Sequence, residues 1–264
     1  MCQGKLNKAF IIPISSRALK HCIRAIIFVM ISAMTFGSMT MTGTAREKLR
    51  TIVIDPGHGG GDHGITGPTK IMEKNVSLIV AELILKELKG KYRVVLTRTG
   101  DYGLSLYERT AIANNHNANL FISIHAGGSF PRQTKGFHIY YYKKASINGS
   151  YTSKDLPDPE SFPAAMTPWD GCQIIHVPSS KFAAETIFTR LSEPFLSADL
   201  PLKVNIQGSP LAVLSGADMP ALLMEIGYLT NPQEEKNLSR KKYLSEITNK
   251  ICRGIEDFFQ KKEG

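Results

Sequence analysis

Cysteine is scarce: four residues in a chain of 264 exclude a disulfide-dense scaffold. Aromatic residues make up 8% and charged residues 21%, against 42% apolar residues. A chain of this composition is too apolar for disorder, and its length suffices for one substantial core or two small ones. Acidic residues are missing altogether from residues 1–45, which carry Lys5, Lys8, Arg17, Lys20 and Arg24. Taking those five from 32 basic residues leaves 27 against 23 acids, a balance of +4 where the whole chain has +9. The basicity is mostly a terminal effect and not a binding face, so nucleic acid is not an expected partner. A long apolar run is lacking too. The stretch from Ala25 to Phe36 is shorter than the roughly 20 residues that span a bilayer.

What the amino-terminal segment does have is three zones in order. A basic stretch ends at Arg24, an uncharged apolar run follows, and small and hydroxylated residues lead to Gly43-Thr44-Ala45. That order describes a secretory signal peptide over residues 1–45 with cleavage after Ala45. The expectation is an exported protein of the periplasm or cell wall with no membrane span in its mature form; an uncleaved anchor is the alternative. Cleavage would leave only Cys172 and Cys252. Cys252 falls among apolar residues of a helical pattern, so it is either a buried thiol or half of a pair.

From Arg46 onward short β-branched runs alternate with amphipathic stretches. Thr51–Ile54 reads as a strand ending at Asp55-Pro56-Gly57, and Asn75–Leu88 as a helix with apolar residues at three-to-four spacing. Tyr92–Thr97, Asn119–Ile124 and Gly136–Tyr142 read as strands, and Ser105–Asn117 as a helix. In the third of those strands Phe137, Ile139 and Tyr141 share one face, while His138, Tyr140 and Tyr142 share the other. Five prolines between Lys143 and Ser180 exclude a long regular element there, which makes about 143–178 a Pro-rich insertion. A helix is expected over Ser179–Phe195, then short strands near Lys203–Ile206, Leu211–Leu214 and Ala221–Met224. A closing helix carries the stripe Leu244, Ile247, Ile251, Ile255 and Phe258. With no repeat and no splitting linker, residues 46–264 predict one α/β domain of three αβα layers, its sheet having about six strands.

Three polar clusters sit where predicted strands run out, the place where open α/β sheets build their sites. They are Asp55-Pro-Gly-His58-Gly-Gly-Gly-Asp62, Ser123-Ile-His125-Ala-Gly-Gly128 and Met224-Glu225-Ile-Gly-Tyr-Leu-Thr-Asn231; Glu73 is a fourth candidate. Two histidines and a carboxylate from separate strand ends suit a catalytic zinc site, which keeps its fourth position for water. A further carboxylate can take that water's proton and hand it to a leaving amine, and apolar neighbours suit Glu225 to the task. His63, His116, His138 and His176 read as surface or loop residues. The string His58-Gly-Gly-Gly61 also occurs in esterase oxyanion loops, but the Gly-x-Ser-x-Gly elbow such enzymes need is absent.

Asp55–Asp62, Leu106-Tyr-Glu-Arg109 with Ala113-Asn114, Asn119–Ala126 and Leu211–Asn231 together resemble, in order, the zinc-dependent N-acetylmuramoyl-L-alanine amidases of the amidase_3 family. The resemblance spans most of residues 51–257. It implies a twisted, mainly parallel sheet flanked by helices, and zinc bound by His58, Glu73 and His125. It implies Glu225 as catalytic acid/base, and hydrolysis of the amide between the lactyl group of N-acetylmuramic acid and L-alanine in peptidoglycan. Arg109, Gly127 and Asn231 are the tentative substrate-binding residues; Gly127 stands where the family usually has asparagine. Peptidoglycan is the expected partner of a monomer, a protein activator is left open, and the Pro-rich segment does not look like a helix built to cover the metal. The competing reading is a non-catalytic peptidoglycan-binding or activator protein on the same fold.

Overall fold

A computed structural model describes residues 49–129, 132–144, 172–196 and 203–261, together with Arg17, His21 and Arg24. The leader expected at 1–45, apart from those three residues, and most of the insertion expected at 143–178 lie outside the described residues. Residues 49–264 form one compact unit, which carries the fold.

Six strands make one sheet: β1 (Thr51–Pro56), β2 (Arg93–Leu96), β3 (Leu120–Gly127), β4 (Phe137–Tyr142), β5 (Val204–Ser209) and β6 (Ala221–Tyr228). Their order is β2-β1-β3-β6-β4-β5. The first four in that order run parallel; β4 is antiparallel to β6, and β5 is parallel to β4. Between β1 and β3 the chain's winding reverses, which opens a crevice at the carboxyl ends of those strands.

The period of two in each strand sorts the side chains into two layers. Ile52, Ile54, Ile122, Ile124, Leu222, Met224, Phe137 and Ile139 face one side and are fully or almost fully buried. There they meet α1 (Glu73–Leu88), α3 (Val177–Leu191) and α6 (Lys241–Lys261). The stripe of α6 (Leu244, Ile247, Ile251, Ile255 and Phe258) is buried as its spacing predicts, and Cys252 is a buried thiol beside it. The opposite face is thinner. Val53, Phe121, Leu223 and Tyr142 pack under α2 (Leu106–Asn115) and the single turn α4 (Ala212–Ser215). The two-faced reading of β4 holds: Phe137, Ile139 and Tyr141 pack with the first cluster, Tyr140 and Tyr142 with the second.

Several boundaries differ from the sequence reading, among them the first helix, which starts at Glu73 and not at Asn75. Leu211–Leu214 is not a strand: Leu211 caps α4, and Val213 and Leu214 enter the thin layer. A four-residue apolar run has no period long enough to separate the two conformations. The helix expected from Ser179 begins at Val177, with Pro178 in its first turn, where the missing N–H has no bond to make. Most consequentially, His125 and Glu225 do not lie beyond their strands. β3 continues to Gly127 and β6 to Tyr228, because the backbone ladder continues where the apolar run stops.

The crevice rests on a buried charge. Asp55, at the end of β1, is 0% exposed and accepts hydrogen bonds from Thr97, Ser123 and Arg109. Removing it would leave the buried Arg109 guanidinium without its counter-charge. Asp55→Ala should therefore cost about 3–5 kcal/mol in urea unfolding, and Ser123→Ala about 1–3 kcal/mol. A loss below about 1 kcal/mol for Asp55→Ala would show that the pair carries no such weight.

Candidate metal centre

Period-two alternation puts Asp55, Ser123, His125, Glu225 and His138 on the thin face of the sheet, alongside Val53, Phe121, Leu223 and Tyr140. Asp55 and Ser123 are fully buried on that face, and His125 at its end reaches a cleft. The cleft holds about 240 Å³, and His58, Asp62, Arg109, His125, Leu106 and Val213 are among the residues that line it.

His58 sits in the glycine-rich loop after β1 with φ 62°, a left-handed conformation uncommon for a residue with a side chain. Three cations hold the loop by its carbonyls. Arg98 donates to Pro56 and Gly57, Arg109 to Pro56 and His58, and Lys74 to Gly60. Lys74 is paired with Asp101, whose other oxygen accepts from the Gly60 N–H. The loop's shape is thus set by charge-assisted hydrogen bonds from outside it. Asp62 then accepts from His58 Nδ1 at 2.8 Å, which turns Nε2 into the cleft.

Glu73 is the first residue of α1 and is 2% exposed. Its Oε1 lies 2.9 Å from His125 Nδ1 and accepts from the Ala126 N–H; its Oε2 lies 3.1 Å from His58 Nε2 and accepts from the Ile65 N–H. Burial works to raise this carboxyl, yet the hydrogen bonds from His125 and His58 outweigh it and hold the group well below the usual carboxylate range. The same contact pushes His58 up to about 9, against the opposing effect of burial.

One donor atom from each of His58, Glu73 and His125 lies within 4.8 Å of the others. Two imidazoles and one carboxylate, with a second carboxylate behind one imidazole, are the donor set and outer partner that a catalytic zinc takes. The residues present therefore fit such an ion.

Glu225 is on β6, its Cα paired with His125 on one side and with His138 on the other. Burial raises its pKa to about 7, and among the described residues Oε2 has no hydrogen-bond partner. The structure thus brings His58, Glu73, His125 and Glu225 together. The three residues expected to bind substrate have other contacts in view. Arg109 is buried, and its guanidinium donates to Asp55, Pro56, His58 and Leu104. Asn231 caps α5 (Pro232–Leu238) by accepting from Gln233 and Glu234, and donates to Thr134. Gly127 lies beside the Glu225 carboxylate, where an added Cβ would come within 2.9 Å of Oε2.

Sequence reasoning passed over Asp62, which orients His58, and Arg98, whose burial no local pattern announces. It also left His138 among the surface histidines, although its place on the Tyr140 face of β4 was a usable signal. His116 and His176 do remain peripheral, against Arg93 and Asp218.

The buried Glu225 has a measurable consequence. Its folded pKa of about 7 lies above the ordinary 4.5, so the native state binds the proton more tightly than the unfolded chain. Its stabilising contribution is complete below pH 4.5 and is lost as pH rises through 7. Metal-free Glu225→Gln should therefore gain about 1–3 kcal/mol over the metal-free parent between pH 5 and pH 8 in denaturant titrations. A pH-independent difference would sink this account.

Comparison with known proteins bears on what such a site does. Residues 52–257 match the family described as Amidase_3, N-acetylmuramoyl-L-alanine amidase. A putative N-acetylmuramoyl-L-alanine amidase of Buchnera aphidicola subsp. Baizongia pistaciae is 30% identical over 218 residues, covering 80% of this chain and 97% of that protein. N-acetylmuramoyl-L-alanine amidase AmiC of Escherichia coli O6:H1 is 28% identical over 229 residues; the match covers 81% of this chain but only 54% of AmiC, so the chain spans about half of that relative's length. Among solved structures, the catalytic domain of the amidase CwlV from Bacillus (Paenibacillus) polymyxa var. colistinus superposes with a TM-score of 0.63 at 27% identity, covering 80% of this chain and 99% of that domain. The chain belongs to the Amidase_3 family of N-acetylmuramoyl-L-alanine amidases, which are peptidoglycan hydrolases.

Proposed function

We propose that this chain hydrolyses the amide between the lactyl group of N-acetylmuramic acid and the L-alanine of the stem peptide, with zinc as its cofactor. The observation that carries the reading is the pairing of a three-donor cluster (His58, Glu73 and His125) with a buried carboxyl group of raised pKa, Glu225, on the strand next to that of His125. His58, Glu73 and His125 would hold the zinc ion, which would supply Lewis-acid polarisation of the scissile carbonyl and lower the pKa of the attacking water.

The remaining work belongs to the protein. Glu225 takes the proton of the attacking water and passes it to the departing amine of L-alanine, a task suited to a carboxylate poised near neutral pH. Its unpaired Oε2 leaves an acceptor ready for that proton. Asp62 keeps the His58 ring in one orientation, and the Arg98 and Arg109 guanidinia hold the His58 loop in place. Glu225 also weighs against the non-catalytic reading, because its buried Oε2 has no hydrogen-bond partner among the described residues, a cost that a proton-exchanging role explains.

The basic, apolar and small-residue zones of residues 1–45 support export to the periplasm or cell wall, with residues 46–264 as the catalytic domain. Among the described residues no helix is long and apolar enough to cross a membrane.

Purified peptidoglycan incubated with residues 46–264 and zinc should yield stem peptides with L-alanine at the amino terminus, identified by mass spectrometry. Sugar-linked peptides as the released product would overturn the assignment of the bond. Glu225→Gln should lower kcat by about 10²–10⁴-fold while retaining one metal per chain. Chelation should abolish release, and zinc should restore it and raise the thermal midpoint.

A further inference from the structure

One polar cluster on the Glu225 side of the site has no part in the chemistry above. β3 and β6 are in step at His125 and Glu225, but their next pairing joins Gly127 to Tyr228. β6 therefore carries one extra residue, a bulge that changes which face the following side chain takes. Gly227 absorbs it with φ 139°, a conformation that a residue with a Cβ rarely adopts. Without the bulge, Tyr228 would point with Ile226 into the helical layer. With it, the tyrosine returns to the face of Glu225 and His125.

The position opposite Tyr228 is Gly127. A Cβ there would lie 2.9 Å from Glu225 Oε2 and 3.2 Å from Tyr228 Cε1, so the ring edge and the carboxylate share the space above one glycine. The hydroxyl is anchored: Tyr228 Oη lies 2.8 Å from His138 Nδ1, and the Asn205 amide Nδ2 lies 3.2 Å from His138 Nε2. His138 packs edge-on to Tyr228 and is stacked with Tyr140. An amide donor at Nε2 makes that nitrogen the acceptor, so the neutral ring carries its proton on Nδ1 and donates it to the tyrosine oxygen. Burial lowers the pKa of His138 and favours this neutral form. In that tautomer Tyr228 receives a hydrogen bond, which leaves its own O–H to donate.

We propose that the Tyr228 hydroxyl, oriented through His138 and Asn205, donates a hydrogen bond to a carbonyl oxygen of the substrate beside Glu225 and so holds the acyl-amide in line with that carboxylate. Tyr228 is then a substrate-contacting residue, and His138 and Asn205 are positioning residues. The inference rests on the amidase reading above.

The test uses a soluble disaccharide–peptide carrying the muramoyl–L-alanine bond, first with the unaltered zinc-loaded chain and then with variants of equal metal content. Tyr228→Phe should lower kcat/KM about tenfold, on the order of one neutral hydrogen bond, chiefly through KM because the contact exists before the transition state. Calorimetry on Glu225→Gln with and without Tyr228→Phe should show a matching loss of affinity. His138→Phe should cost as much in the parent but add nothing to Tyr228→Phe. Unchanged kcat/KM and affinity in Tyr228→Phe, or additive effects of the two substitutions, would overturn the inference while the amidase reading stands. If the unaltered chain neither binds nor cleaves the fragment, both fall.

Discussion

Everything at the cleft depends on the burial of Asp55. A carboxylate with no exposure is tolerable only when its charge is matched and its lone pairs are occupied, and Arg109, Thr97 and Ser123 do both. These partners come from α2, from the residue after β2 and from β3, so one charge ties four parts of the sheet end together. Arg109 extends the link to the His58 carbonyl, and Arg98 and Lys74 continue it along the loop. The donor atoms are placed by a network of formal charges under the crevice, and packing of apolar side chains stops one layer below.

The two acids of the site show how environment assigns roles to one residue type. Glu73 and Glu225 are both buried, and burial alone would raise both. Glu73 has two imidazoles and two backbone N–H groups on its oxygens, and it stays charged. For Glu225 burial prevails, Glu73's negative charge adds to it, Oε2 has no partner among the described residues, and the pKa climbs to about 7. One acid is suited to hold a cation and the other to exchange a proton. The difference comes from hydrogen bonds supplied by neighbouring strands and loops.

Much of this was legible beforehand. The amphipathic stripe of α6, the strands at Thr51, Asn119 and Ala221, and the two faces of β4 follow from periodicity, which a local sequence carries in full. The motifs around His58, His125 and Glu225 were visible because glycines and polar residues interrupt apolar runs at strand ends. Leu211–Leu214 was misread because four residues hold no period. The ends of β3 and β6 were misread because a ladder is a backbone property, indifferent to the loss of apolar side chains. His138 passed as a surface histidine because only pairing in register brings it beside Glu225.

The amino-acid sequence by itself determined most of the alternation of strands and helices, the two faces of β4 and the buried stripe of α6, and the identity of the acids and imidazoles available for chemistry. Tertiary structure alone decided which of them meet. His58 and Glu73 are 15 residues apart and His125 is 52 beyond Glu73, yet their donor atoms fall within 4.8 Å. Strand order brings β1, β3 and β6 side by side, and a one-residue bulge turns Tyr228 toward Glu225. Local pattern records how a segment folds; distance between segments is set by hydrogen-bond register across the sheet, and register is a property of pairs of strands.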